Sequence, residues 1–247
     1  MKTILKISAI FTWIIFFAQC ASNEVANSDT VKQSEIYQYY SVAYNSDEKQ
    51  LTAFASFRFG GHNGTTLILV KPAGILFEKE KMPYEQNIFS GAFYEVTEQT
   101  GVKPIYTFMY TDCDKKSYTN RAMMIPVEII KYPKIADKNV DFSVEWTYPL
   151  QAGETINLFV EDSSVNTASV YNNAVGSTSM KINPEELKNL KPGKITIYLV
   201  RENSRPLENG THLGGTIYVK YTSRKIETLL IGPQPVKEEI KKDSIKG

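Results

Sequence analysis

From Ile36 onward the chain is built of short runs in which apolar and polar residues alternate. Leu51, Ala53, Ala55, Phe57 and Phe59 alternate with Thr52, Ser56 and Arg58. Successive side chains of a strand point to opposite faces, so a period of two predicts a half-buried β-strand. Gly60-Gly61-His62-Asn63-Gly64 breaks the run, residues 65–70 resume it, and Pro72-Ala73-Gly74 ends it. Residues 75–78, 92–97, 105–111 and 121–130 follow as further strands, each bounded by Gly, Pro, Asn or Asp. After a boundary at 133–139 (PKIADKN), Phe142, Val144, Trp146 and Tyr148 alternate strictly with Asp141, Ser143, Glu145 and Thr147. Ile156, Leu158 and Val160 form the next strand, then 177–182, 195–200, and 216–221 with a continuation to 231.

One short helix interrupts this pattern. Asn183 is a good N-cap, Pro184 suits the first helical position, and Glu186 stands at the third. Leu187 and Leu190 then face the core, and Pro192-Gly193 leads into an apolar strand. This corner resembles the crossover before a late strand in immunoglobulin-like and fibronectin-like sandwiches. Together with Trp146 on an early strand, the resemblance implies an Ig-like β-sandwich without its usual cysteine pair. The fold class expected is all-β: two consecutive sandwich domains, 36–132 and an Ig-like 133–232.

The ends read differently. Lys2 and Lys6 precede AIFTWIIFFA, an apolar run over 9–18. It is too short for a bilayer span, which takes about 20 apolar residues, and it has the length and flanks of a signal peptide. The run ends in Phe17-Ala18-Gln19-Cys20, followed by Ala21-Ser22-Asn23-Glu24. This resembles the lipobox of envelope lipoproteins of the Bacteroidota, with Phe17 in place of the usual Leu and Gln19 in place of Gly or Ala. The resemblance implies a signal peptide over 1–19 and lipid (palmitate among its acyl chains) on Cys20. It also implies attachment to the outer membrane, because Ala21 is not the Asp that retains proteobacterial lipoproteins in the inner membrane. Residues 20–35 then read as the lipidated Cys and a flexible tether, and 233–247 as a disordered charged tail.

Composition narrows the function classes. The 247 residues carry net charge +1, with 42% hydrophobic and 22% charged. Removal of Lys2 and Lys6 lowers the basic count from 28 to 26 against 27 acidic residues, leaving −1. A near-neutral chain argues against nucleic acid as partner. With Cys20 acylated, Cys113 is the one remaining thiol, so no intrachain disulfide forms. His62 and His212 lie in Gly-rich turns without metal-site spacing, so no metal or cofactor is expected. Asp112-Cys113-Asp114 begins like an EF-hand loop, but Lys116 occupies the third ligand position and a turn is the better reading. No nucleophile elbow, P-loop or dinucleotide-binding motif is present, and the chain reads as a non-enzyme. Asp29-Thr30-Val31 and Asp243-Ser244-Ile245 resemble the short O-glycosylation acceptor of the Bacteroidota.

Aromatics are the remaining candidates. Of 15 tyrosines, Tyr37, Tyr39, Tyr40 and Tyr44 crowd one segment, and Tyr84, Phe89, Phe93 and Tyr94 another. Aromatic faces stack on sugars or anchor protein partners, which makes Tyr37, Tyr39, Tyr40, Tyr84 and Tyr94 candidate ligand contacts. The function expected is a membrane-anchored, non-catalytic protein-binding or scaffolding lipoprotein, whose partners are the membrane through Cys20 and another envelope protein. A glycan-binding surface lipoprotein is the alternative, and an envelope hydrolase with an unrecognised site comes last.

Overall fold

A computed structural model describes residues 24–233. The stretch expected as a signal peptide (1–19), Cys20 and all but the first residue of the expected tail (233–247) lie outside the described residues. The first strands are β1 (Val25–Asn27), β2 (Ile36–Asn45), β3 (Gln50–Phe59), β4 (Thr65–Ile68), β5 (Gly74–Phe77) and β6 (Glu80–Lys81). Then come β7 (Tyr84–Asn87), β8 (Gly91–Gln99), β9 (Ile105–Thr111), β10 (Ser117–Met123), β11 (Ile129–Lys131) and β12 (Ile135–Asp137). The second half adds β13 (Phe142–Trp146), β14 (Glu154–Asp162), β15 (Thr167–Asn172) and β16 (Ser179–Ile182), followed by the one α-helix among the described residues, α1 (Pro184–Leu187). The chain closes with β17 (Gly193–Pro206), β18 (Gly215–Thr222) and β19 (Ile226–Ile231).

The protein is all-β, in sandwich layers. A long mixed sheet has the backbone order β1-β4-β3-β2-β18-β17-β14-β15, with β8 on β3, β7 on β8, β19 on β17 and β12 on β19. Two smaller sheets, β10-β9-β5-β6 and β11-β13-β16, complete the layers. The stretches before and after residue 133 share the long sheet, because β2 and β18 pair in parallel over Gly215↔Gln38 to Thr222↔Asn45.

Alternation decides which face is buried. In β2 the inward set is Ile36, Gln38, Tyr40, Val42 and Tyr44. Tyr40 stacks on Phe108 of β9 at 4.8 Å between ring centroids, and Phe57 meets Tyr110 at 4.4 Å. In the second half Val144 and Trp146 join Ile156, Leu158, Ile195, Ile197 and Leu199 in the same continuous core. The helix forms as its capping residues predict: the Asn183 amide donates to Glu186 Oε2 at 2.8 Å, and Leu187 and Leu190 are fully buried. The run expected over 121–130 is divided instead between β10 and β11, since Pro126 has no N–H for a ladder.

Residues 24–35, expected as tether, are laid along the sheet. β1 pairs in parallel with β4, which covers one of its edges. Ser28, fully buried, accepts from the Val70 amide through its hydroxyl at 2.9 Å. The Gln33 side chain donates to the Ser28 and Val31 carbonyls at 2.6 and 2.8 Å and accepts from the Cys113 amide at 3.1 Å. Two amide-bearing turns are thereby clamped to the segment without any apolar periodicity in it.

Asp162 performs a similar task at the β14–β15 turn. Burial alone raises a carboxyl's pKa, but its oxygens accept from the Asn166 side chain and from the amides of Lys191, Asn166 and Ser164, which together hold it at about 2. A carboxylate depressed in the folded state stabilises above its unfolded pKa and loses that contribution as pH falls. Urea midpoints of the native protein are therefore expected to fall between about pH 4 and pH 2, and Asp162→Asn to flatten that part of the profile.

The β2–β18 junction is equally exposed to test. A Cβ on Gly215 would lie 1.9 Å from the Gln38 carbonyl oxygen and 2.7 Å from Leu207 Cδ1. Gly215→Ala is expected to lower stability to chemical denaturation by about 1–3 kcal/mol. Gly74→Ala, with nothing within 4 Å of its new methyl group, leaves it unchanged or raises it.

Candidate functional site

The outward face of β2 carries Tyr37, Tyr39, Ser41 and Ala43, all half-buried. Register continues this face onto neighbouring strands: Ser41 lies opposite Phe54 of β3, Phe54 opposite Glu95 of β8, and Ser41 opposite Tyr218 of β18. Tyr39 meets Phe54 edge to face at 6.0 Å, and Phe54 stacks on the buried Phe93 at 5.3 Å. Tyr37 meets the exposed His62 at 5.6 Å, and its hydroxyl bonds Thr216 Oγ1 at 2.6 Å. Three strands thus hold a run of rings that are fixed in orientation yet open to solvent on one side.

Polar groups border the rings. Glu202 accepts from the Tyr218 hydroxyl at 2.5 Å and from Asn157 Nδ2 at 3.2 Å. Burial, with the Glu202 carboxylate beside it, pushes the Tyr218 phenol well above its ordinary pKa. Further along the same face Tyr198 stacks on Phe159 at 5.1 Å and donates to Glu161 at 2.7 Å. Burial and that carboxylate raise the Tyr198 phenol to about 12, so the hydroxyl stays a donor at any physiological pH.

A second feature involves Tyr84 and Tyr94. Their rings lie 5.9 Å apart and line a cleft of about 280 Å³ together with Ile75, Met82, Lys71 and Lys81. Tyr84 is 43% exposed and its hydroxyl donates to Gln86 Oε1 at 2.6 Å. Tyr94 is buried except at the cleft, with its hydroxyl accepting from the Leu69 amide at 2.7 Å. The cleft lies near the lower end of the size range of small-molecule sites.

The five aromatics picked from the sequence therefore divide three ways. Tyr37 and Tyr39 share the open sheet face, and Tyr84 and Tyr94 share the cleft. Tyr40 has no exposure at all and donates to Gln38 Oε1 at 2.8 Å inside the core. Its neighbour Tyr39 points out and Tyr40 points in because consecutive strand residues face opposite sides, so Tyr40 touches core rings and no external ligand.

Sequence reasoning missed a third surface. Tyr148, Tyr171 and Val175 are 62%, 72% and 69% exposed. The loops of Tyr148 and Val175 are joined by backbone bonds from the Leu150 amide to Ser177 O at 3.0 Å and from the Gly176 amide to Leu150 O at 2.8 Å. Tyr148 has φ +56°, a conformation rare for an aromatic residue. Beneath it Arg201 donates to the Tyr148 and Pro149 carbonyls at 3.3 and 3.0 Å and is ion-paired with the buried Glu154. Nothing local in sequence links Tyr148 to Arg201. Of the histidines, His62 packs on Tyr37, and His212 is exposed on the β17–β18 turn. No group of three or more His, Cys, Asp or Glu among the described residues is placed to hold a metal ion. Cys113 is a free thiol 3.4 Å from Ser28 Oγ.

No family model matches the chain, and no curated protein does. Solved structures similar to it include SGBP-B of the mixed-linkage glucan utilization locus of Bacteroides ovatus, in complex with a mixed-linkage heptasaccharide: 13% identity, TM-score 0.25, covering 74% of this chain and 53% of that one. A tetra-tandem repeat from the extending region of a large adhesion protein has 10% identity and TM-score 0.26, covering 78% and 49%. A 1.5-MDa bacterial ice-binding adhesin has 10% identity and TM-score 0.20, covering 78% and 65%. The chain spans about half to two thirds of the length of these structures.

Proposed function

We propose that the protein is a non-catalytic binding module of the bacterial cell envelope, held at the outer membrane by lipid on Cys20, and that the open face of its long sheet docks another envelope protein. The observation that carries this reading is the run Tyr37, Tyr39 and Phe54 on that face, backed by Phe93. Aromatic rings bury large apolar areas and dominate protein interfaces. These rings are already fixed by edge and stacking contacts. Little side-chain freedom remains to be lost on docking, which is the usual cost of association. The bordering Thr52, Thr97, Glu95, Glu202 and Lys220 supply the polar rim of such a patch.

A second reading is favoured by a different observation. The Tyr84–Tyr94 cleft combines an exposed ring face with two lysines and suits a sugar bound by stacking. It gives a glycan-binding lipoprotein, and the two readings separate by experiment.

Capture from detergent-solubilised envelope membranes is expected to recover a reproducible protein partner on the native chain. Tyr39→Ser with Phe54→Ser reduces the recovery about tenfold or more, the consequence of removing two interface anchors. Equal recovery on both chains, or no reproducible partner, contradicts the docking face. A positive glycan array that Tyr84→Ala abolishes establishes the second reading in its place. In cell fractionation, Cys20→Ser is expected to move the protein from the membrane to the soluble fraction, and a chain that stays with the membrane contradicts the anchor.

A further inference from the structure

The β7–β8 hairpin ends in Ile88 and Phe89, residues that are 76% and 83% exposed. Its turn is braced: the Asn87 side-chain oxygen accepts from the Phe89 and Ser90 amides at 2.9 and 2.6 Å. Gly91 follows at φ +67°, packed so closely that a Cβ there would lie 2.2 Å from Thr66 Oγ1. The nine residues 86–94 (QNIFSGAFY) contain no charge. A loop that only had to stay soluble has no need to hold two large apolar side chains in water on an ordered, uncharged hairpin.

The position of this tip is what gives it meaning. Thr66 Oγ1 accepts from the Ala92 amide at 3.0 Å and donates to the Glu24 carbonyl at 3.0 Å. A single hydroxyl therefore joins the root of the hairpin to the first described residue of the chain. Four residues carry the chain from Glu24 back to Cys20, and in any conformation they reach at most about 14 Å. The tip lies three residues from Ala92, within about 11 Å of it by the same measure.

We infer that Ile88 and Phe89 insert into the outer-membrane bilayer beside the acylated Cys20, so that the protein rests on the membrane through two points. This rests on the proposed lipidation of Cys20. An anchor that short brings the Glu24 end of the fold down to the headgroups, and an uncharged apolar tip beside it enters the acyl boundary without burying a charge. The second contact fixes orientation: a lipid alone lets the body pivot, whereas lipid plus hairpin sets which edge of the long sheet faces the bilayer.

The test uses the full-length acylated protein reconstituted in phosphatidylethanolamine–phosphatidylglycerol vesicles in which one lipid is brominated on its acyl chains. Phe89→Trp places a fluorophore at the tip. The parent protein sets the background, since Trp146 is 1% exposed. Tyr171→Trp is the control, on β15 at the far edge of the long sheet and 72% exposed. The expected result is blue-shifted emission from Phe89→Trp that the brominated lipid quenches, with Tyr171→Trp emitting as in water and unquenched. Mass spectrometry of the same preparation reads the acyl chains on Cys20. Acylated protein with an unquenched tip overturns the inference and leaves the lipid anchor standing. Equal quenching of both positions overturns it too, as does a blue shift without quenching, which means that protein covers the tip. An unacylated Cys20 overturns both the inference and the anchor.

Discussion

The parallel pairing of β2 with β18 is the constraint on which the rest of the structure depends. Eight residues of each strand face one another, although about 175 residues separate them in the chain. Parallel neighbours require a long connection, and here that connection is most of the protein. Its consequence is a single sheet in place of two. β3, β4 and β8 continue the sheet on one side of the junction, β17, β14 and β15 on the other, and the small sheets cover the inner face. Without the pairing, the outward rows of β2 and β18 would belong to separate bodies. With it, Tyr37, Tyr39 and Phe54 sit on the same surface as Tyr218 and Glu202.

With Cys113 a free thiol, the described residues hold this platform by packing and by buried polar clamps. The aromatic stack of Tyr40, Phe57, Phe77, Phe108 and Tyr110 fills the space between the long sheet and β9. Polar side chains then fix what the core does not. Gln33 and Ser28 hold the entering segment, Asp162 holds a turn, and Arg201 with Glu154 holds the loop of Tyr148. Each clamp has most of its partners in backbone carbonyls and amides, so each sets chain path as well as adding stability. The candidate surfaces are outward residues left over from this arrangement, among them one ring-bearing sheet face, one cleft and one apolar tip.

Much of this was legible in the sequence where the signal is local. Phe142, Val144 and Trp146 announce β13 by their period of two, and Asn183, Pro184 and Glu186 announce α1 by capping chemistry. Gly60–Gly64 and Gly210–Gly214 read as turns and are turns. What failed needed long-range information. In IYQYYSVAYN the phase of β2 is ambiguous, because tyrosines occupy both faces and the polar Gln38 is on the buried one; only the neighbouring strands decide that Tyr40 turns in and Tyr39 out. β1 has three residues and no periodicity, and it exists because β4 offers it an edge. Tyr84 and Tyr94 were visible as aromatics, but the cleft they line needs β5 and the end of β4 to be placed beside them. Tyr148 gave no sign of its conformation, since the arginine that holds its carbonyl is 53 residues away.

A platform shared by both halves requires the long sheet to be continuous across β2 and β18. Amide hydrogen exchange of the native protein reads this directly. The amides that bond across the junction, within Gln38–Asn45 and Gly215–Thr222, are predicted to exchange as slowly as those of β14 and β17, opening only when the whole protein unfolds. Exchange at the junction that is fast while β14, β17 and β9 keep their protection would mean that the two halves hold together loosely, and would contradict a shared platform.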